Sequence, residues 1–233
     1  MKIVITGASR GLGYSMAEAF AKEGHDLYLT ARNEVKLYHA LESLMSRFPD
    51  QIIKAKPFDL GSKQGARDFG NWVLSLGVEV DILINNAGSF EPGRIIDEPE
   101  NQLENMLNVN LLSAYHITRV LLPSMMKRKS GHIFNISSIA ALQAYPNGGS
   151  YSISKFALSG FSKNLREELK PYSIKVTCIY PGAVYTDSWA ASGVEPSRIM
   201  KPEDIADTII QISKLSPQAV VEELVIRPLK GDL

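Results

Sequence analysis

Tyr151 and Lys155 stand one helical turn apart in Tyr151-Ser152-Ile153-Ser154-Lys155, and Ser138 precedes the tyrosine by thirteen residues. On a helix, positions i and i+4 share a face, so the phenol and the ammonium would lie side by side. A fixed positive charge beside a phenol favours phenolate, which predicts a tyrosine pKa pulled below its ordinary value of about 10. Such a tyrosine can give a proton to a developing alkoxide near neutral pH, or take one from an alcohol. The Ser138 hydroxyl, at the end of an apolar strand, can bond the same oxygen and hold a carbonyl in place. Alone, a tyrosine and lysine at this spacing occur on many amphipathic helices, so the rest of the chain decides their meaning.

Short β-branched runs alternate with helical segments along all 233 residues. The pattern predicts strands at Lys2–Thr6, Asp26–Thr30, Ile52–Pro57, Asp81–Ile84, His132–Ser137, Ile174–Tyr180 and Val220–Arg227. It predicts helices at Gly13–Glu23, Asn33–Arg47, Lys63–Leu76, Asn101–Lys127, Tyr151–Lys170 and Pro202–Lys214. Met16, Ala17, Phe20 and Ala21 show the three- and four-residue spacing of a buried helix face. This alternation implies an α/β fold, with parallel strands, right-handed crossovers and helices on both faces. The central strands are almost wholly apolar, as doubly buried strands should be. No linker, repeat or composition change divides the chain, so one domain over residues 1–233 is expected.

The first strand runs straight into Thr6-Gly7-Ala8-Ser9-Arg10-Gly11-Leu12-Gly13, and a helix follows. Glycines let the backbone turn sharply and approach a pyrophosphate, while the helix N-terminus supplies amide donors and a positive dipole end. No Gly-Lys-Ser/Thr follows, which excludes a mononucleotide P-loop. The second strand ends Leu29-Thr30-Ala31-Arg32, without the acid that would bond a ribose 2′-hydroxyl. Arg32 and Arg10 can instead bind a dianionic 2′-phosphate through charge-assisted bonds, which predicts NADP(H) over NAD(H).

With these residues in place, the chain resembles the short-chain dehydrogenase/reductases, in their compact single-domain branch. The glycine segment matches that family's Thr-Gly-x-x-x-Gly-x-Gly, and Phe58-Asp59-Leu60 matches its adenine-contacting aspartate segment after the third strand. Asn85-Asn86-Ala87-Gly88 matches the segment lining the cofactor groove. Asn110 matches an asparagine implicated in a water-linked proton relay, and Ser138, Tyr151 and Lys155 match the catalytic serine, tyrosine and lysine. Pro181-Gly182-Ala183-Val184-Tyr185-Thr186 matches the segment at the nicotinamide end, with Thr186 at the carboxamide-binding position. The resemblance covers residues 1 to about 228 and implies a single Rossmann-type doubly wound domain with a seven-stranded parallel sheet. It implies catalytic roles for Asn110, Ser138, Tyr151 and Lys155. It implies cofactor contacts from Gly7, Ser9, Arg10, Leu12, Gly13, Arg32, Asp59, Leu60, Asn86, Ala87 and Gly88. Tyr151, Lys155, Pro181, Gly182, Val184 and Thr186 complete that implied set. Lys155 would bond the nicotinamide ribose as well as tune the tyrosine. By the same resemblance the chain assembles as a homodimer or homotetramer through its long fourth and fifth helices and last strand.

Composition narrows the other options. Lys+Arg and Asp+Glu each number 25, so no net field draws the chain to nucleic acid or an anionic membrane. Cys178 is the one cysteine and falls in an apolar run, which predicts an inert core thiol and a reducing cytoplasm. The chain enters a strand at once, unlike a signal peptide, and no apolar run is long enough to span a bilayer. Lys127-Arg128-Lys129 suits the negative end of a helix. Asp97, Glu98 and Glu100 read as the acidic start of the fourth helix. His25, His39, His116 and His132 lack metal-ligand spacing and read as surface or helix-face residues, so no metal is expected.

These readings converge on an NADP(H)-dependent oxidoreductase in which hydride reaches a carbonyl carbon and Tyr151 protonates the oxygen. The irregular stretch after Thr186, with Trp189, Ala190 and Ala191, points to a small, partly apolar pocket for ketones, diketones or aldehydes. Reduction of a 3-oxoacyl thioester on acyl carrier protein is the alternative, with Lys127–Lys129 as a docking patch. Lys170-Pro171-Tyr172-Ser173 lacks the arginine that carrier-protein reductases often place there. A non-catalytic NADP-binding regulator is the alternative of another class, although regulators of this fold usually lose a catalytic residue.

Overall fold

The structure, a computed structural model, describes residues 1–186 and 193–232. Among them seven parallel strands form one sheet: Lys2–Thr6 (β1), Asp26–Thr30 (β2), Ile53–Ala55 (β3), Ile82–Asn85 (β4), Gly131–Ile136 (β5), Ile174–Pro181 (β6) and Glu223–Ile226 (β7). The helices are Gly11–Lys22 (α1), Glu34–Arg47 (α2), Lys63–Ser75 (α3), Gln102–Leu107 (α4), Ser113–Arg128 (α5), Gly149–Leu169 (α6) and Pro202–Ser213 (α7). Strand order is β3-β2-β1-β4-β5-β6-β7, so the chain leaves β1 toward one edge and returns to its other side at β4. That reversal opens a crevice beyond the carboxyl ends of β1 and β4, where open α/β sheets bind their ligands.

Strand alternation assigns each apolar side chain to a face. Ile3 and Ile5 pack with Phe20 of α1, Leu44 of α2 and Ile209 of α7. Val4, between them, packs on the opposite face with Phe69 of α3, Leu121 of α5 and Leu165 of α6. Each fully buried aliphatic or aromatic side chain of these two layers stabilises the fold by about 1.5–3 kcal/mol. Local bonds fix where helices begin: Asn33 accepts from Lys36 N at 2.9 Å, and Ser62 accepts from Gly65 N at 3.0 Å.

The edges differ from the sequence expectation. The strand expected over Ile52–Pro57 is only Ile53–Ala55, and the one over Val220–Arg227 is only Glu223–Ile226. Both lie at a sheet edge with a partner on one side, where short strands limit unwanted pairing. The continuous helix expected over Asn101–Lys127 is interrupted at Asn108–Leu112, where the turns widen to i→i+5 bonding. The widened turn keeps the chain helical from α4 into α5, so residue types there still read as one helix. His132 also departs from expectation. It is buried in β5, stacked on Phe134 at 3.9 Å and bonded through Nε2 to Thr177 Oγ1 at 2.7 Å. Burial pushes its pKa down to about 3, so it serves as a neutral core residue.

Candidate active site

The glycine turn is built by β1, α1 and the end of β4 together. Thr6 Oγ1 accepts the backbone N–H groups of Asn86 and Ala87, each at 2.9 Å. The Asn86 amide donates back to Thr6 O at 2.9 Å and Gly7 O at 3.3 Å. Asn86 thus holds the turn in shape, while Asn85 is buried and donates to Asn135 Oδ1 at 2.8 Å. Gly7 and Gly11 have φ of 68° and 54°, which favours glycine. A Cβ on Gly13 would lie 2.2 Å from Gly7 O and 2.6 Å from Asn86 Nδ2, so only a bare backbone fits. Replacing Gly13 with Ala is expected to cost about 3 kcal/mol of stability by overpacking, read as a lower urea midpoint at unchanged m-value.

The crevice suits an anionic dinucleotide. Arg10, at the N-cap of α1, gives no side-chain cap, and the first turn carries no acid. That helix end therefore presents amide donors and a positive dipole end toward an anion. Ser9 and Leu12 belong to the same turn, half-buried, with Leu12 packed on the core. Arg10 and Arg32 are exposed at the carboxyl ends of β1 and β2. Asp59, also exposed, turns the chain by accepting Gly61 N at 3.0 Å, while Leu60 is buried in the core. Gly88 is exposed, and a Cβ there would lie 3.1 Å from Asn110 Oδ1 and 3.6 Å from Lys155 Nζ. Pro181 closes β6, Gly182 follows, and Val184 is buried and bridged to Met200. The Thr186 methyl lies 3.3 Å from the place a Cβ on Gly11 would occupy, so this segment crosses the glycine turn. Trp189, Ala190 and Ala191 lie outside the described residues.

The residues expected to transfer the proton meet where β5 ends and α6 begins. Ser138 lies two residues beyond β5 and accepts Ala140 N at 3.1 Å. Tyr151 and Lys155 occupy the first two turns of α6. Lys155 is buried, and its Nζ donates to Ile136 O at 3.0 Å while standing 5.8 Å from the centroid of the Tyr151 ring. The expected lowering of the tyrosine pKa is not what this geometry produces. Burial pushes Tyr151 up to about 12, against an opposing hydrogen bond from Ser138. Lys155 is itself pushed down to about 8 by burial. Spacing put the two groups on one face, but the ammonium turns to a strand carbonyl and desolvation disfavours both charged forms.

Asn110 sits in the widened turn at the start of α5, fully buried. Its Oδ1 accepts Ser89 N at 2.8 Å, and its Nδ2 donates to Ser154 Oγ at 2.9 Å and Ser89 O at 3.1 Å. Sequence reasoning missed three neighbours. Phe90 packs T-shaped on Tyr151, with ring centroids 4.8 Å apart and planes at 80°. Ser154, on the turn between Tyr151 and Lys155, is the anchor of Asn110. Glu98, expected to start α4, instead accepts from Ser150 at the start of α6, and the first turn of α4 carries Glu104. Ser154 stands inside the motif, a signal the sequence offered; Glu98 lies 52 positions from Ser150, and its acidic type pointed to the nearer helix α4.

The comparisons with known proteins agree with this geometry. Residues 1–196 match the short chain dehydrogenase family model. Sepiapterin reductase of Chlorobaculum tepidum is 30% identical, over 99% of this chain and 97% of the relative. An alcohol dehydrogenase from the archaeon Thermococcus sibiricus, complexed with 5-hydroxy-NADP, superposes with a TM-score of 0.89 at 28% identity, covering 98% of this chain and 96% of that one. L-sorbose reductase from Gluconobacter frateurii, complexed with NADPH and L-sorbose, gives 0.88 at 28% identity, covering 97% and 94%. The glycine turn, the Ser138–Tyr151–Lys155 cluster and the matched sequence model together make this chain a member of the short-chain dehydrogenase/reductase family, an oxidoreductase acting between CH–OH and C=O groups.

Proposed function

We propose that the protein is an NADP(H)-dependent reductase of small ketones, diketones or aldehydes. The observation that carries this reading is the convergence of Ser138, Tyr151 and Lys155 beside Gly88, in the crevice whose other wall is the glycine turn. When bound, NADPH supplies the hydride, and the protein supplies placement and the proton. The α1 N-terminus holds the pyrophosphate, and Arg10 and Arg32 take the 2′-phosphate. Lys155 Nζ, approachable across Gly88, bonds the ribose. Ser138 orients the substrate oxygen and Tyr151 protonates it. Asn110 holds the loop carrying Ser89 and joins the path by which the proton is resupplied. The Chlorobaculum and Gluconobacter relatives are named for reductions, which supports a reductase over an obligate dehydrogenase. The exposed Ile153 and Phe156 of α6 and Val225 of β7 suit assembly as a homodimer or homotetramer.

Reduction of a carrier-bound 3-oxoacyl thioester receives less support. Lys127 and Arg128 end α5 just before β5 begins, at the opposite end of the sheet from Ser138. Arg128 there bonds Val80 O and pairs with Asp81 at 3.3 Å, so it stabilises the fold.

Tyr151 near 12 is protonated across the neutral range, the state that reduction needs. Alcohol oxidation needs the phenolate, whose fraction grows about tenfold per pH unit below that pKa. Reduction is therefore expected to stay level from about pH 6 to 8 while oxidation of the product alcohol climbs. Absorbance assays with NADPH and NADH against diketones, aldehydes, pterin-type ketones and 3-oxoacyl thioesters test the whole reading. Turnover with NADPH on a small carbonyl supports it, a preference for the thioester replaces it, and NADPH binding without turnover of any carbonyl refutes it.

A further inference from the structure

The helix that carries Tyr151 begins without a cap of its own. Its N-cap is Gly148, no side chain there bonds the first-turn amides, and no acid lies in that turn. A 21-residue helix presents appreciable positive dipole at such an end. The loop between β4 and α4 supplies what is missing. Glu98 Oε1 accepts the backbone N–H of Ser150 at 2.8 Å, and its Oε2 accepts the Ser150 hydroxyl. Glu98 is itself aimed by a local turn, in which its N–H donates to Arg94 O at 2.9 Å. Gly93 N adds a bond to Asn147 O at 3.0 Å, in the turn that leads into α6.

Gly149 shows how closely these segments meet. A Cβ there would lie 2.0 Å from Glu98 Oε1 and 2.4 Å from Gly93 O. Backbone geometry adds to this demand, with φ of 35° at Gly149 and 60° at Asn147. The same loop is held at its other end by Ser89 on Asn110, and Asn110 is held by Ser154. Ser150 and Ser154 are one turn apart on α6, and Tyr151 lies between them. Both clips therefore fasten one loop across the turn that bears the proton donor. Phe90 lies in that loop, its ring perpendicular to that of Tyr151 with the centroids 4.8 Å apart.

We infer that Glu98 is a positioning residue for Tyr151: bonded to Ser150, it locks the loop after β4 onto the first turn of α6 and fixes Phe90 against the phenol ring. The inference rests on the reading of Tyr151 as proton donor. Glu98 touches neither cofactor nor substrate in this scheme; it sets where the phenol hydroxyl points. Small displacements of a proton donor slow the chemical step, while groups that bind the dinucleotide on the far side of the crevice stay in place.

The test uses the full chain carrying Glu98→Ala, Glu98→Gln, Ser150→Ala or Arg94→Ala, with Tyr151→Phe run alongside. Arg94 lies in the same loop, but among the described residues its side chain pairs only with exposed Asp97, so Arg94→Ala controls for general disturbance. The readouts are kcat and KM for the best carbonyl, NADPH affinity by fluorescence, and thermal midpoint. Glu98→Ala is expected to lower kcat about tenfold or more, the loss expected when charge-assisted bonds go, with NADPH affinity unchanged. Glu98→Gln keeps an acceptor for Ser150 N and recovers much of that rate. Ser150→Ala, which removes one bond of two, gives a smaller fall, and it serves as the test if Glu98→Ala does not fold. Unchanged kcat in Glu98→Ala and Ser150→Ala overturns the inference. So does a loss of rate matched by equal losses of NADPH affinity and thermal midpoint without recovery in Glu98→Gln. Full activity in Tyr151→Phe refutes the proton-donor reading itself, whereas an inactive Tyr151→Phe beside a fully active Glu98→Ala refutes only the positioning role.

Discussion

Tyr151→Phe is expected to lose about three orders of magnitude in kcat while binding NADPH as before, the middle of the range for removing a positioned general acid. The substitution deletes one oxygen and leaves the ring against Phe90, so neither the loop nor the start of α6 changes packing partners. No neighbour stands ready to replace the donor. Lys155 Nζ turns to Ile136 O and stands 5.8 Å from the Tyr151 ring centroid, and the Ser138 hydroxyl is taken up in orienting the substrate oxygen. Losing a hydroxyl that burial holds neutral should leave thermal stability near that of the parent. Steady-state absorbance assays give kcat, and fluorescence titration gives NADPH affinity. A variant retaining more than about a tenth of the parent rate contradicts the assignment, because general acid catalysis is worth at least about a hundredfold.

The double replacement Arg10→Ala with Arg32→Ala is expected to erase the preference for NADPH over NADH by roughly a hundredfold to a thousandfold. Each guanidinium can make charge-assisted bonds to a 2′-phosphate worth about 1.5–3 kcal/mol, and both arginines are exposed, which places the sum toward the lower end. Neither residue gains comparably from a 2′-hydroxyl, so kcat/KM for NADH should hardly move. The loss should also shrink as salt rises, since exposed charges are screened within about 8 Å at physiological ionic strength. Parallel kcat/KM values for the two cofactors, at low and high salt, decide the matter. An equal loss for NADPH and NADH would assign the arginines to the shared part of the dinucleotide and remove the basis for cofactor choice.

The two predictions draw on different kinds of legibility. Apolar, β-branched runs marked the central strands most clearly, because a strand buried on both faces must be apolar throughout, whereas β3 and β7 are partly exposed. The glycine turn was equally plain, since close approach of Gly13 to Gly7 O excludes every side chain. Arg32 was identified by the absence of an acid at the end of β2, a local fact. Strand order was implied only through the family resemblance, and the shortness of β3 and β7 follows from their edge places in it.

What the tertiary structure alone decided concerns atoms brought together from far apart in the chain. The i, i+4 spacing gave Tyr151 and Lys155 a common face, yet Ile136 O determined where the ammonium points, and burial determined both pKa values. Asp97, Glu98 and Glu100 were expected to start the fourth helix, but Glu98 serves α6, Asp97 pairs with Arg94, and the acid in the first turn of α4 is Glu104. The family resemblance implied a role for Asn110, but only the fold shows the widened turn that presents it to Ser89 and Ser154. Periodicity records which side of an element is buried, and residue type records what chemistry is possible there. Direction of a side chain, its desolvation and its charge partners depend on the three-dimensional surroundings, so they appear only when the sheet and helices have assembled.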